Sequence, residues 1–449
     1  MEFAQIGSYL DGLPELDRIP TVDEVNAAVD QLVARVPGRC RVRRIGTSRL
    51  GEPLRLLSVG HGSRHALVIG CPHPNEPIGL LTVSHLAALV ADHPELSDGI
   101  GYTWNFVPCV DPDGTRLNEG WFAGPHTIRH YHENFYRPAM RDQPEWTFPV
   151  LDERAYFDRT LPETNALIRV IDELRPRFQY SLHNADFGGV FFILNQEVPG
   201  AAGDLVAMAA RQQVPLSHGQ IDTLGWSTAG PAVYLMPSAE TLITAHTGAS
   251  AEPRSGGSSS HYAARHGATT LITEVPFWHD ERASDLGESG RLHAEVLRDS
   301  ANRLRTDAAM LAELWQRVEP RLVVPSPLRS AARDFMASSE SLASASDAVA
   351  ATAAGRAATV AEVFTAECVV HMLRLRTVGV LRRQLAVEQA AGNGTPSLRG
   401  AYQELGSLFD TWCHAAADAL SGELFPLRRL VGLQMGAALA VVSRLDGGQ

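Results

Sequence analysis

The chain has 449 residues, 45% of them apolar and 20% charged, and carries a formal net charge of −12. That apolar share supports a sizeable core and excludes global disorder, while the length fits two or three domains or one large domain with an appendage. The negative balance disfavours non-specific binding to nucleic acid or an anionic membrane surface, and all 39 basic residues are arginine, which excludes Schiff-base chemistry, a phosphate-loop lysine and a lysine general base.

The opening "MEFAQIGSYLDGLPELDRIP" lacks a basic stretch and a long apolar run, so no secretory signal is expected there. No apolar segment reaches the roughly 20 residues that cross a bilayer, and a cytoplasmic protein is expected. Cys40, Cys71, Cys109, Cys368 and Cys413 are scattered and odd in number, and read as buried free thiols.

Residues 22–35, "VDEVNAAVDQLVAR", have helical spacing behind the cap Thr21. Strands are predicted at 54–60 and 65–70, followed by a helix from Pro77 to Leu89 with the proline at its first position. Further strands are predicted at 102–110, 178–183, 189–195, 232–236 and 269–275, with helices at 162–174, 201–212 and 290–317. Strands alternating with helices predict an α/β fold: a mixed, mostly parallel central sheet covered by helices on both faces. Two long stretches interrupt this pattern, 111–160, rich in His, Arg, aromatics and Pro, and 244–262, small and polar, and loops of such length are usually functional. Past "PRLVVPSP" (320–327) the chain turns Ala-rich and strand-poor. A division into a catalytic part, 1–320, and an added all-α region of three or four helices, 321–449, is expected, the latter for packing or oligomerisation.

Chemistry gathers at the predicted strand ends, where open α/β sheets bind ligands. "CPHPNEP" sets His73 and Glu76 three apart in a turn entering a helix, a spacing at which imidazole and carboxylate can share a zinc ion. Alone, the same pattern fits a solvated turn. "SLHN" closes another apolar strand with His183, and "TTLITEVPFW" puts Glu274 in a run so apolar that an ionised carboxylate there needs a partner. "DPDGTR" forms a turn straight after a strand and leads to Arg116, and "HENFYRP" offers Asn134 and Arg137. Arginine donates two parallel hydrogen bonds to an oxyanion or a carboxylate. Loop histidines His126, His130 and His132 are expected to line a pocket.

Taken in order, "HPNE", "DPDG…R", "SLHN" and "TEVP" resemble the motifs of the zinc metallocarboxypeptidases of the carboxypeptidase A superfamily, over about residues 20–300. The resemblance implies one zinc ion held by His73, Glu76 and His183, with Glu274 as general base and Arg116 polarising the scissile carbonyl. Asn134 and Arg137 are the nearest match to the family's carboxylate-binding pair, and only Tyr262 lies near the place of its mobile tyrosine. The implied activity is hydrolysis of an amide bond in a small peptide or aminoacyl conjugate. An aspartoacylase-like deacylase acting on N-acyl amino acids would use the same metal set. A non-catalytic metal-binding or assembly protein, with the helical tail mediating homo-oligomers, is the reading from another class.

Overall fold

The computed structural model describes residues 3–151, 156–218, 223, 225–247, 255–353, 355–420 and 422–446. Ten strands form the main sheet: β1 Cys40–Thr47, β2 Pro53–Val59, β3 Arg64–Ile69, β4 Tyr102–Val107, β5 Phe178–Phe187, β6 Phe191–Leu194, β7 Thr228–Gly230, β8 Val233–Leu235, β9 Thr269–His279 and β10 Glu423–Leu424. Their order is β1-β2-β4-β3-β5-β9-β6-β8-β7, and β10 pairs with β9. The central run β4-β3-β5-β9 is parallel and the flanking pairs are mostly antiparallel, so the expected mixed α/β sheet is present.

The central strands are buried on both faces, which explains their near-continuous apolar sequences. Alternation assigns each residue its side. Ala66 and Val68 join the core that includes Leu86 and Leu430, while Leu67 and Ile69 join the one that includes Leu167 and Ile171.

The principal helices are α1 Val22–Arg35, α2 Ile78–Asp92, α3 Ile128–Asn134, α4 Pro162–Leu174, α5 Ala201–Arg211, α6 His293–Val318, α7 Pro327–Thr352, α8 Val360–Ala390, α9 Pro396–Ala419 and α10 Leu427–Asp446. Thr21 and Glu24 form a reciprocal capping box on α1. Pro77 stands one residue earlier than predicted, at the N-cap of α2 rather than inside its first turn. The strand β1 and a short helix, Phe3–Asp11, were not among the predicted elements. No helix is long and apolar enough to cross a membrane among the described residues.

The compositional break near 320–327 coincides with the link between α6 and α7. From α6 onward the helices divide. The helices α6 to α9 pack on one another, whereas α10 returns to the sheet and packs on α2, α5 and β9, burying Leu430, Leu433 and Val441 with Val68 and Leu205. The other anchor is α8. Its Arg383 donates to the carbonyls of Asn134 (2.7 Å), Phe135 (2.8 Å) and Leu117 (2.9 Å). A Cβ on Gly379 would meet the His132 carbonyl oxygen at 2.3 Å, so α8 seats directly on the backbone of α3.

This seat reverses the usual sign of a helical glycine substitution. Gly379→Ala should destabilise the protein by about 1–3 kcal/mol through overpacking. Gly400→Ala, in α9 with no neighbour within 4 Å, should stabilise it by roughly 0.5–1 kcal/mol. Urea unfolding of both variants checks this, and a gain in stability for Gly379→Ala would contradict the close docking.

Candidate metal centre

The turn after β3 carries the first two candidate ligands. Its backbone closes when the Glu76 N–H donates to the His73 carbonyl (3.0 Å). The first residue of α2 is tied to the next motif, since the Ile78 N–H donates to Asn184 Oδ1 (3.3 Å). At Gly79 a Cβ would fall 2.9 Å from Leu182 Cβ, so the helix start lies close against β5. The strands β5 and β9 are parallel and in register with His183 opposite Glu274. Because side chains alternate across a sheet, the two project from the same face.

The result is a compact cluster. Ligand atoms of His73, Glu76 and His183 lie within 4.8 Å of one another, and all three residues are buried. His183 Nδ1 sits 2.9 Å from Glu76 Oε2 and 3.5 Å from Glu274 Oε1, and its Nε2 meets Ser181 Oγ at 3.1 Å. The His73 and His183 rings are edge-on, 4.9 Å between centroids. His73 Nδ1 is buried with no hydrogen-bond partner among the described residues. An unpartnered, buried imidazole nitrogen is costly unless something else binds it. Two imidazoles and one carboxylate are the donor set of a catalytic zinc site, so these residues fit the ion.

Electrostatics sort the protons. Burial, reinforced by Arg137, holds His73 well below the usual imidazole range, leaving it neutral. Burial opposes charge on Glu76, but Arg137 and His183 overcome it and hold the carboxyl well below its ordinary value. Burial would likewise depress His183, yet Glu274 and Glu76 prevail and push it up to about 9.

The sequence-predicted arginine is not the one at the cluster. Arg116 pairs with Glu52 (2.7 Å) and Asp23 (2.7 Å), linking the "DPDG" turn to α1, and none of its hydrogen bonds or ion pairs reaches the three ligands. Arg137 does reach them: its guanidinium lies 2.5 Å from Glu76 Oε1 and 3.4 Å from Asn75 Oδ1. The Asn134 amide instead donates to the His130 carbonyl (3.0 Å). Tyr262 donates to Asp172 (3.0 Å). His126, His130 and His132 each meet a backbone carbonyl, and of the polar stretch 244–262, residues 248–254 lie outside the described part.

Three neighbours of the cluster were not among the site residues predicted from the sequence. Glu145 accepts from the Ser259 amide (3.2 Å) and hydroxyl (2.8 Å). Its burial pushes its carboxyl up to about 7, although the charge of His183 pulls the other way. Asp186, three residues after His183, accepts from Tyr131 (2.9 Å) and from Arg376 of α8. Gln434 of α10 donates to the His183 carbonyl (2.8 Å). Arg376 and Gln434 come from Ala-rich helices about 190 and 250 residues downstream of their partners, where nothing local marks them.

The "DPDG" turn supports the centre from below. Asp111 caps the helix Pro112–Arg116 by accepting from the Gly114 N–H (3.0 Å). Thr115 Oγ1 lies 3.2 Å from Cys71 Sγ and 3.3 Å from Cys109 Sγ, at the ends of β3 and β4. A Cβ on Gly114 would meet Pro74 at 2.9 Å, so the turn is packed against the loop of His73.

Residues 25–187 match a family model described as zinc carboxypeptidase, a span that holds His73, Glu76 and His183 and ends before Glu274. Among solved structures the chain is similar to a carboxypeptidase A from Helicoverpa armigera, with TM-score 0.39 and 14% identity over 78% of this chain and 79% of that one. It is similar to a metallo-carboxypeptidase from Burkholderia cenocepacia, with TM-score 0.36 and 16% identity over 57% of this chain and 60% of that one. It is also similar to the murein-tripeptide amidase MpaA from Escherichia coli O157, with TM-score 0.28 and 19% identity over 52% of this chain and 82% of that one. No curated protein sequence matches the chain. The resemblance to the zinc carboxypeptidases read from the sequence thus holds over residues 25–187.

Asp111 gives a test of the support beneath the loop. Burial raises its carboxyl from 3.8 to about 7, against the pull of Arg49. A carboxyl that is harder to ionise in the fold than in the unfolded chain takes stability away as pH climbs from about 4 to about 7. Asp111→Asn keeps the cap. It should exceed the wild type in stability at pH 8 and match it near pH 4, as read by urea titration at both values. A variant weaker than wild type at pH 8 would show that the ionised carboxylate is favoured.

Proposed function

We propose that the chain is a zinc-dependent hydrolase that cleaves an amide bond in a small peptide or aminoacyl conjugate. The observation that carries this reading is the buried His73, Glu76 and His183 cluster with Glu274 register-paired to His183. A single zinc ion held by those three side chains would polarise a carbonyl and lower the pKa of a bound water toward roughly 7.

The remaining roles belong to the chain's own groups. Glu274, 3.5 Å from His183 Nδ1 and with its side chain 17% exposed, takes the proton of the attacking water on a carboxylate oxygen and returns it to the leaving nitrogen. Glu76 is kept ionised by the Arg137 guanidinium beside it, and His73 presents a neutral nitrogen. Ser181 and the His183 carbonyl's partner fix the second imidazole's strand. Arg137 takes the role that the sequence resemblance suggested for Arg116: it is 20% exposed beside Glu76 and donates to the oxygen of the carbonyl as negative charge develops there. With Asn134 turned to His130, Arg137 acts without that partner.

Two experiments test this. Metal analysis should find one zinc per wild-type chain and none in His73→Ala, while Glu274→Gln should retain zinc and lose at least about a thousandfold in hydrolysis of short peptides or N-acyl amino acids. A wild type without stoichiometric zinc refutes the reading, and a profile confined to N-acyl amino acids selects the deacylase branch. In the second, Arg137→Ala should lower kcat/KM by a factor on the order of 100–1,000, about 3 kcal/mol. Arg116→Ala should leave the rate nearly unchanged and cost at most about 1 kcal/mol of stability, as exposed ion pairs do. The opposite ranking would return the catalytic role to Arg116.

A further inference from the structure

We propose that Gln434, in the last helix of the chain, is a positioning residue for the metal centre, holding β5 and β9 at the register that sets His183 beside Glu274. The proposal rests on the zinc-hydrolase reading above and assigns a part of that site to the C-terminal helices.

Gln434 is fully buried. Its amide nitrogen donates to the His183 carbonyl (2.8 Å) and reaches the Thr273 carbonyl (3.4 Å). Its amide oxygen accepts from Thr82 Oγ1 (2.6 Å). Those three partners belong to the three segments that carry the cluster. Thr82 sits in α2, which starts two residues after Glu76. His183 is itself a candidate ligand. Thr273 immediately precedes Glu274. A side-chain amide offers two donors and an acceptor oxygen, and here both faces of it are engaged, so the group can neither rotate nor flip without leaving a buried carbonyl or hydroxyl unpaired. The backbone of the same residue is also used. Tyr180 donates to the Gln434 carbonyl (3.0 Å) and accepts from the Thr273 hydroxyl (2.8 Å), closing a second bridge between β5, β9 and α10.

A glutamine needed only to stabilise α10 could satisfy its amide anywhere along the apolar seam with the sheet. This one is aimed at the strand position where ligand and general base stand side by side, on the sheet face opposite their side chains. Outer groups that orient metal ligands typically govern affinity by 10- to 100-fold when removed, and that is the effect expected here.

The test uses the full chain. Zinc affinity is read by competition with a chromophoric chelator, and coordination geometry by the visible absorption of the cobalt(II)-loaded protein. Gln434→Met keeps the volume and removes the amide. It should bind zinc about 10–100-fold more weakly and shift the cobalt bands. Thr82→Val frees the amide oxygen only, and should weaken binding by about two- to tenfold. Met435→Leu, at the adjacent buried position, controls for general packing of α10 and should leave both readouts unchanged. The proposal is overturned if a folded Gln434→Met matches the wild type in both readouts, or if Met435→Leu moves them as far. Should Gln434→Met fail to fold, Thr82→Val decides, and wild-type affinity with unshifted bands in that variant overturns it. A wild type that takes up no zinc at all removes the hydrolase reading itself, a result distinct from loss confined to the variants.

Discussion

The parallel register of two strands, with His183 opposite Glu274, is the constraint on which the centre depends. Both side chains sit in a sheet interior where an isolated charge would be expelled or neutralised. They are tolerated because they face one another and because Glu76, arriving from the end of β3, adds a second carboxylate 2.9 Å from the imidazole. A shift of one residue between β5 and β9 would turn one of them to the opposite face and leave the other buried without its partner.

The scaffolding around that pair follows from the need to hold it. On one side the "DPDG" turn packs Gly114 against Pro74 and places Thr115 between the thiols at the ends of β3 and β4. From the other direction α8 brings Arg376 to Asp186, three residues beyond His183, and Arg383 to the backbone that leads to Arg137. The last helix, α10, completes the core of the sheet. The chain beyond residue 320 is therefore tied to the rest of the fold through α8 and α10, and α7 and α9 add the Ser330–Asp142 and Arg129–Asp410 hydrogen bonds.

Arg116 and Arg137 show how local pattern and spatial position part company. Arg116 follows a strong turn signal and lies in the better-ordered motif, so it is the arginine a linear reading selects. In the fold its fork closes on Glu52 and Asp23, two acids far apart in sequence, and a guanidinium satisfied twice has little left to offer a substrate. Arg137 follows closely on the short helix α3, on whose backbone α8 docks through Gly379 and Arg383. The Pro77 difference is of another kind: proline suits the N-cap and the first helical turn alike, so a one-residue offset falls within what composition can resolve.

By itself the sequence determined the alternating strands and helices, the mixed sheet with parallel centre, and the candidate ligand and base positions. Apolar runs bounded by turn residues mark strands, and a polar residue at the end of such a run is conspicuous against its neighbours. Tertiary structure alone decided that His73, Glu76 and His183 meet, which arginine stands beside them, and that Glu145, Arg376 and Gln434 belong to their surroundings. Those facts depend on strand order and on helices that close contacts as distant as the 352 residues between Thr82 and Gln434, and hydrophobic periodicity records which face of an element is buried without recording what it is buried against.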